Sequence, residues 1–380
     1  MHVDENQSVD FLLLISALIL AGVGLVMVYS SSMYLSMDRV GDGMYYFKKQ
    51  AFRFMIGLVV MMFLTKINYR GYAKLGTALL VAGFVMLVML LIQKFASGKG
   101  VERWLHLGFF SFQPSEVMKV IMVIFLASAI TRMEDKVRSF KEGFLPLFLI
   151  IGISFGLVVV EPDLGTAGLI LIVSFAVLFL GRAKFAHLLA VTAPAVVGVI
   201  LIIKTVPYMQ RRLELFLNDA GGYQVKQSII GIGSGGFFGV GLGNSVQKFY
   251  FLPERHTDFV FSIFAEEAGL VGATILLVLF FVYIARGFKI AEQAPDMFGF
   301  LLASGLTVMI GSQIFINIGV ATKLLPTTGM TLPFISYGGS SLILSFIATG
   351  ILLNISKQGN YERRLSREFG SRLHRRSLWG

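Results

Sequence analysis

The sequence predicts an all-α, polytopic membrane protein with about ten transmembrane helices, both termini cytoplasmic, and a large outer loop between helices seven and eight. Three observations carry that prediction. Of 380 residues, 56% are hydrophobic and only 14% charged, with a mean hydropathy of +0.77, far more apolar than a soluble domain of this length allows. The apolar residues fall into runs near the ~20 residues that cross a bilayer. The basic residues concentrate in alternate connections, the asymmetry that orients membrane helices.

The runs cover residues 11–31, 51–66, 75–93, 116–131, 144–160, 164–181, 185–204, 259–285, 298–321 and 336–356. The second and fourth are short, so their ends are expected to be set by neighbouring helices and by snorkelling Lys and Arg. Lys66, Arg70 and Lys74, then Arg132, Lys136, Arg138 and Lys141, then Arg182 and Lys184, then Arg286 and Lys289 mark the cytoplasmic turns. The tail, with Arg363, Arg364, Arg367, Arg372, Arg375 and Arg376, fits the same side, against an anionic inner leaflet. The expected organisation is a cytoplasmic segment 1–10, a membrane domain 11–357 and a basic cytoplasmic tail 358–380. The net charge of +11 then reads as topology; no nucleic-acid-binding fold accompanies it, so no nucleic-acid partner is expected. Met1 to Asp10 is acidic and no small-residue cleavage site follows the first helix, which is read as uncleaved. With no Cys and five scattered His, neither thiol chemistry nor a zinc site is expected.

Two outward segments are long, roughly 94–115 and 205–258, and the second exceeds a simple connector. Within it Gly231 to Asn244 reads GIGSGGFFGVGLGN. It lacks the preceding strand of a dinucleotide fingerprint and the Gly-Lys-Ser/Thr of a phosphate loop. Two readings stand: a tightly turning backbone, re-entrant or lying on the surface, or exposed amides that meet an anionic ligand.

Immediately before the eighth run stand Glu254, Arg255, His256, Thr257 and Asp258. Ionisable groups clustered at a bilayer surface are functional candidates by default. Thr257 or Asp258 is placed to cap the helix that starts near Phe259; Asp258 is equally placed as a base, with Arg255 and Lys248 near it to hold a phosphate. Glu116 and Lys119 share a helix face at i and i+3 and read as a structural pair. Glu266 and Glu267 lie roughly 12 Å further along the helix than Asp258 and require compensation. Glu161 and Asp163 flank Pro162, as turn chemistry or as part of the outer site. Arg103 beside Trp104 reads as an interfacial anchor. These charges support three functions: an enzyme centred on Asp258, a transporter gated by Glu116, Glu266 and Glu267, or a scaffold indifferent to Asp258.

Longer strings weigh toward the enzyme by resemblance. YQVKQSIIGIGSGG from Tyr223, GVGLGNSVQKFYFLPERHTDFVFSIFAEEAGLVG ending at Gly272, RWL at Arg103, FQPSEVMK at Phe112, EPDLGT at Glu161 and INIGVATKLLPTTGMTLPFISYGGSS from Ile316 resemble the signature of the SEDS family (shape, elongation, division and sporulation). Details such as GLGNSVQK and LPTTGMTLPFISYGGSS are more similar to its division branch than to its elongation branch. The resemblance implies ten helices in the inner membrane, at the septum for a division member, and polymerisation of lipid II into β-1,4 glycan strands, with a lipid II flippase and a non-catalytic division scaffold as the alternatives. It also implies partnership with a class B penicillin-binding protein (an FtsI-like transpeptidase) and other division membrane proteins. It places the catalytic aspartate at Asp258. On this reading Arg103, Lys119, Lys248, Arg255 and His256 bind substrate pyrophosphate, while Glu116, Glu161, Asp163, Glu266, Glu267, Ser336, Tyr337 and Gly338 support the site. No cofactor is required, and a divalent cation, Mg or Mn, is a candidate.

Overall fold

A computed structural model describes residues 9–97, 103–107, 110–205, 207–217 and 222–377. The acidic start before Val9 and the side chains of Arg364, Arg367, Arg372, Arg375 and Arg376 lie outside the described residues. The helices are α1 (Phe11–Val40), α2 (Tyr45–Leu64), α3 (Arg70–Ser97), α4 (Pro114–Met133), α5 (Leu145–Val160), α6 (Leu164–Leu180), α7 (Phe185–Thr205), α8 (Pro207–Leu217), α9 (Gly222–Ser234), α10 (Val260–Glu292), α11 (Met297–Ala321) and α12 (Gly339–Ser377). Each of the ten apolar runs coincides with one helix. Seven helices among the described residues are long and apolar enough to cross a bilayer by themselves, and α6 is a shorter apolar one.

Local chemistry sets several ends. The Asp10 carboxylate accepts from Leu13 N–H at 2.9 Å and caps α1; Asp163 and Asp296 do the same for α6 and α11. Pro114 occupies the first turn of α4, where its missing N–H costs nothing. Gly41 closes α1 in the left-handed region, φ 74°.

The packing has an inside and an outside. α4 and α12 are largely buried, whereas α3 and α10 expose most of their apolar surface; Phe52, Phe63, Leu149, Phe179 and Phe281 point outward, where only lipid could satisfy them. α2 lies along α12, α3 along α4, and α10 between α1 and α11. Lipid supplies no hydrophobic drive between helices, so close approach carries the association. A Cβ at Gly305 of α11 would fall 2.6 Å from Val123 and 2.8 Å from Val177, so three inner helices converge on one hydrogen atom.

Four features differ from expectation. α1 runs nine residues past its apolar core, and α12 continues through the basic tail to Ser377, because no Pro interrupts either sequence. The outer segment 205–258 carries two helices, α8 and α9. The other outer segment holds a hairpin, β1 (Leu105–Leu107) paired antiparallel with β2 (Phe110–Phe112), Leu105 opposite Phe112. The all-α prediction thus acquires one small sheet.

At the far end of α10 from Asp258, polar side chains tie helix ends together. Asp10 accepts from Arg286 Nε at 3.0 Å. Asp296 accepts from Tyr69 Oη at 2.7 Å and Arg70 Nε at 2.7 Å, while Arg70 also reaches Glu362 on α12 at 2.8 Å. Burial pushes the Asp296 carboxyl up, but the Gly299 N–H, Arg70 and Tyr69 together hold it below the ordinary carboxylate range. The ties are partly exposed, so Asp296→Asn should lower stability in detergent by only about 1 kcal/mol. A depressed carboxyl stabilises the fold above its unfolded value near ~3.9 and loses that contribution as pH falls through the folded value. The variant should therefore show a flatter loss of melting temperature below pH 4 than the parent.

Candidate active site

The site begins with a break in a helix. α10 is interrupted at Gly269, whose φ of 68° and ψ of −170° lie outside the helical region and suit only glycine. The break frees backbone groups on both sides, and the glycine-rich loop after α9 takes them up. Val240 N–H donates to Glu266 O at 3.0 Å and Gly241 N–H to Glu267 O at 3.1 Å; Leu270 N–H donates to Gly236 O at 2.9 Å and Val271 N–H to Phe237 O at 3.1 Å. A Cβ at Gly239 would sit 2.1 Å from Glu267 O, so the approach requires glycine there as well. Irregular backbone at membrane depth survives only when it is satisfied in this way.

The two acids beside the break have separate partners. Glu266 accepts from Val246 N–H at 2.9 Å, Gln247 N–H at 3.4 Å, Ser234 Oγ at 3.4 Å and Ser245 Oγ. Glu267 accepts from Ser30 Oγ of α1 at 2.6 Å and from Lys248 Nζ at 3.3 Å. Lys248 and Glu267 side chains are 2% and 0% exposed, and Lys248 also donates to the Gly243 carbonyl. The amides that meet the Glu266 carboxylate are those of Val246 and Gln247, just after the glycine-rich loop. Of the two readings of the glycine loop, the tightly turning backbone describes what is seen: it folds onto α10 through the four backbone hydrogen bonds at the break.

That anchored loop delivers the segment ending at Asp258. Thr257, Asp258 and Phe259 N–H groups all point to the Glu254 carbonyl, at 3.2, 3.1 and 3.2 Å. From the other side, Tyr337 N–H donates to His256 O at 2.8 Å and Ser336 Oγ to Thr257 O. Asn317 Nδ2 of α11 donates to Asp258 O at 2.9 Å. The backbone around Asp258 is held from three directions. Helix capping plays no part: Phe259 is the N-cap of α10 and no side chain caps it, while Thr257 Oγ1 turns to Glu254 Oε2 at 2.9 Å.

Asp258 lines a cavity of about 390 Å³ together with Arg103, Glu116, Asp163, Tyr337 and Gly338. Six predicted residues from four distant stretches therefore meet. Their states differ. Asp163, besides capping α6, accepts from Gln113 Nε2 at 2.9 Å. Glu116 pairs with Lys119 at 2.8 Å, and Lys119 in turn reaches Gln313 Oε1 at 2.8 Å, a turn deeper than the cavity. Arg103 donates to Pro162 O at 2.6 Å, which draws the β-hairpin segment to the α5–α6 turn beside buried Glu161.

The remaining predicted cations do not reach the cavity. Lys248 faces Glu267. Arg255 is buried, donates to Ser31 O of α1 at 3.1 Å and stacks on Tyr250, 4.7 Å from its ring centre. His256 packs between Tyr46 and Tyr337, at 5.2 and 5.6 Å between ring centres. Burial pushes its imidazole down to about 4, so it is neutral at physiological pH and offers no charge to a phosphate. Ser336 holds Thr257 O and Leu332 N–H, and Glu266 and Glu267 are held beside the α10 break.

Sequence reasoning missed a second set of cations. Lys48, Lys49 and Arg53 of α2 line a groove of about 620 Å³ whose other wall is apolar, including Phe52, Ile343 and Leu344. Ser340 lines both groove and cavity, so the two adjoin. Arg53 lies over the Tyr337 ring at 5.0 Å. The available signal was three cations at i, i+1 and i+5 entering an apolar helix. Gln313 and Asn317 were missed too, although amides at i and i+4 in an apolar run mark one polar face.

Lys248→Met alone should cost about 3–5 kcal/mol by leaving Glu267 charged and buried; adding Glu267→Gln should restore most of that loss in the same detergent melt. A double variant no better than the single would discard the pairing. For His256, stability that rests on a neutral ring is present above the ordinary ~6.5 and lost as pH falls through about 4. His256→Phe should therefore flatten the pH dependence of stability across that window.

Known proteins match this architecture. The family described as "Cell cycle protein", comprising FtsW, RodA and SpoVE, matches residues 10–361. Stage V sporulation protein E of Bacillus subtilis is 39% identical over 363 residues, covering 94% of this chain and 99% of its own. The probable peptidoglycan glycosyltransferase FtsW of Coxiella burnetii is 39% identical over 363 residues, covering 92% and 97%. Among solved structures, a chain of a peptidoglycan synthase complex that coordinates polymerization and crosslinking superposes with a TM-score of 0.76 at 28% identity, covering 93% and 98%. The rod shape determining protein RodA of Thermus thermophilus gives 0.68 at 29% identity, covering 92% and 97%. With the family model matching residues 10–361 and relatives aligned over more than nine-tenths of the chain, the chain belongs to the FtsW, RodA and SpoVE family, the SEDS proteins, with an FtsW-like sequence.

Proposed function

We propose that the chain is a peptidoglycan glycosyltransferase that polymerises lipid II into β-1,4 glycan strands at the outer face of the cytoplasmic membrane during septal wall synthesis. The observation that carries this reading is the pairing of spaces around Asp258: a polar cavity holding Asp258 and Arg103, adjoined at Ser340 by a groove with three cations and an apolar wall. A substrate with a sugar, a pyrophosphate and a polyprenyl tail needs those three surroundings in that order. The relatives named FtsW support the reaction class.

The donor is a glycan joined through its anomeric carbon to a polyprenyl pyrophosphate; the acceptor is the 4-hydroxyl of a second lipid-linked disaccharide. An alkyl hydroxyl is a poor nucleophile near neutral pH. In the proposed step the Asp258 carboxylate takes its proton as the new C–O bond forms, an effect of about 10²–10⁴-fold. The bond to pyrophosphate breaks on the opposite face, inverting an α-linkage to β without a covalent sugar intermediate. The leaving group is already anionic and calls for cations rather than a second acid. Arg103 stands at the cavity, and Lys48, Lys49 and Arg53 stand along the groove. Lys119, Lys248 and Arg255 are engaged elsewhere and take structural roles. Among the described residues no three His, Cys, Asp or Glu side chains converge on one point, so no step is routed through a protein-held divalent ion.

On the orientation that the basic connections imply, both termini are cytoplasmic and Asp258 faces outward, where ATP is absent and the pyrophosphate bond supplies the energy. The solved peptidoglycan synthase complex, which coordinates polymerization with crosslinking, supports a cross-linking partner; a class B penicillin-binding protein is the one expected, with other division proteins at the septum. A lipid II flippase would need acids free to titrate at membrane depth. Glu116 is paired, and Glu266 and Glu267 are held in the α10 break, which disfavours that reading.

Purified chain with a partner synthase whose cross-linking serine is disabled should convert lipid II to long glycan. Folded Asp258→Asn should lose at least about 100-fold. Polymer from the variant at the parental rate, or lipid II translocation across liposomes without polymer, would overturn the proposal.

A further inference from the structure

Asp258 stands between two spaces. In front is the cavity; behind it is a second chamber of about 30 Å³, lined by Asp258, Gln224, Asn317, Thr327 and Thr328 among others. Gly329 lines both, and a Cβ built on it would stand 3.6 Å from Asp258 Oδ2. The carboxylate therefore sits at the partition between front and back.

Asn317 is fixed in orientation. Its Nδ2 donates to two carbonyls, Asp258 O at 2.9 Å and Met330 O at 2.6 Å. Both are acceptors only, so the amide cannot be flipped. Its Oδ1 is buried on a residue 1% exposed, and no protein group among the described residues donates to it; the same holds for the buried Thr328 Oγ1. A buried acceptor without a donor is costly and rare in native proteins. Two of them line one chamber, and its volume is what one or two waters require.

We infer that this chamber is a hydration site behind the catalytic carboxylate, in which water donates to Asn317 Oδ1, bonds Thr328 Oγ1 and reaches Asp258, giving the abstracted proton a way out. The catalytic half of this inference rests on the glycosyltransferase reading; the hydration half does not. In each cycle the acceptor hydroxyl gives its proton to Asp258 as its oxygen bonds the anomeric carbon, and the pyrophosphate leaves with the electron pair of the broken bond. Asp258 then passes that proton to the chamber water, which hands it to bulk and restores the carboxylate. Asn317 and Thr328 are positioning residues, acting through the water.

Thr328→Val removes the hydroxyl with little change of volume, and Thr328→Ser retains it. Lipid II polymerisation by each, with the partner synthase, is measured against pH and substrate concentration. Thr328→Val should lower kcat about three- to tenfold, the worth of one neutral hydrogen bond, with KM unchanged. The acid limb of its rate profile should move to higher pH, because a water that donates to a carboxylate favours its charged form. Thr328→Ser should restore both. A Thr328→Val variant with parental kcat and pH profile would overturn the relay. Hydration is read separately, from a high-resolution structure of the parent chain. Density within hydrogen-bond distance of Asn317 Oδ1 and Thr328 Oγ1 supports the site, whereas a dry chamber or a metal ion at coordination distance overturns it. If the parent makes no glycan, the functional reading fails and the density alone decides the hydration site.

Discussion

Two adjacent glutamates at a break in a membrane helix organise the outer half of this protein. An ionised carboxylate away from water is tolerated only with charge or several donors around it. Glu266 and Glu267 solve the problem differently. Glu266 collects backbone amides and hydroxyls from the glycine-rich loop, while Glu267 takes a lysine from the end of that loop and a serine from α1. The break at Gly269 adds four backbone hydrogen bonds between the same two strands of chain. The loop cannot leave without exposing two charges and four backbone groups to a low-dielectric interior. Its far end carries Pro253 to Asp258, so the position of the Asp258 carboxylate depends on acids more than a turn away from it.

Charge at this membrane surface thus divides into two kinds. Lys119 and Lys248 are buried and paired with Glu116 and Glu267, and Arg255 is buried with its Nε on the Ser31 carbonyl and its plane on Tyr250; none of the three lines the cavity or the groove. Arg103, Lys48, Lys49 and Arg53 border open space. The distinction matters because a cation already desolvated and paired gains little from a phosphate, whereas a half-exposed one beside an apolar wall gains both charge and dehydration. That asymmetry is what the proposed reaction, with one base and an anionic leaving group, calls for.

The opposite end of the bundle uses weaker ties. Arg70, Asp296 and Glu362 are partly exposed, and they join the starts of α3 and α11 to the extension of α12. Screening by solvent limits each to a small share of stability. The more tightly bonded end of the molecule is therefore the one that holds Asp258, where buried acids and strapped backbone coincide.

The helices were legible in the sequence, since apolar runs follow directly from the length of a bilayer crossing, and the string PERHTDF singled out Asp258, which the structure puts on a cavity wall. Alternating basic connections oriented the chain for the same reason. Partner choice was not legible. Lys248 and Arg255 are close to Asp258 in sequence yet turn away from it, because α1 brings Ser30 and Ser31 against α10, a contact between residues more than two hundred positions apart. Lys48, Lys49 and Arg53 looked like the edge of a short helix until α12 and the β-hairpin closed a groove over them. The glycine loop had two readings until the break in α10 supplied its hydrogen-bond partners. Composition and periodicity determine that this chain lives in a membrane and which face its acids share. Which charges are spent on each other and which remain for a substrate is decided only when distant helices pack, because pairing depends on distances that sequence spacing does not contain.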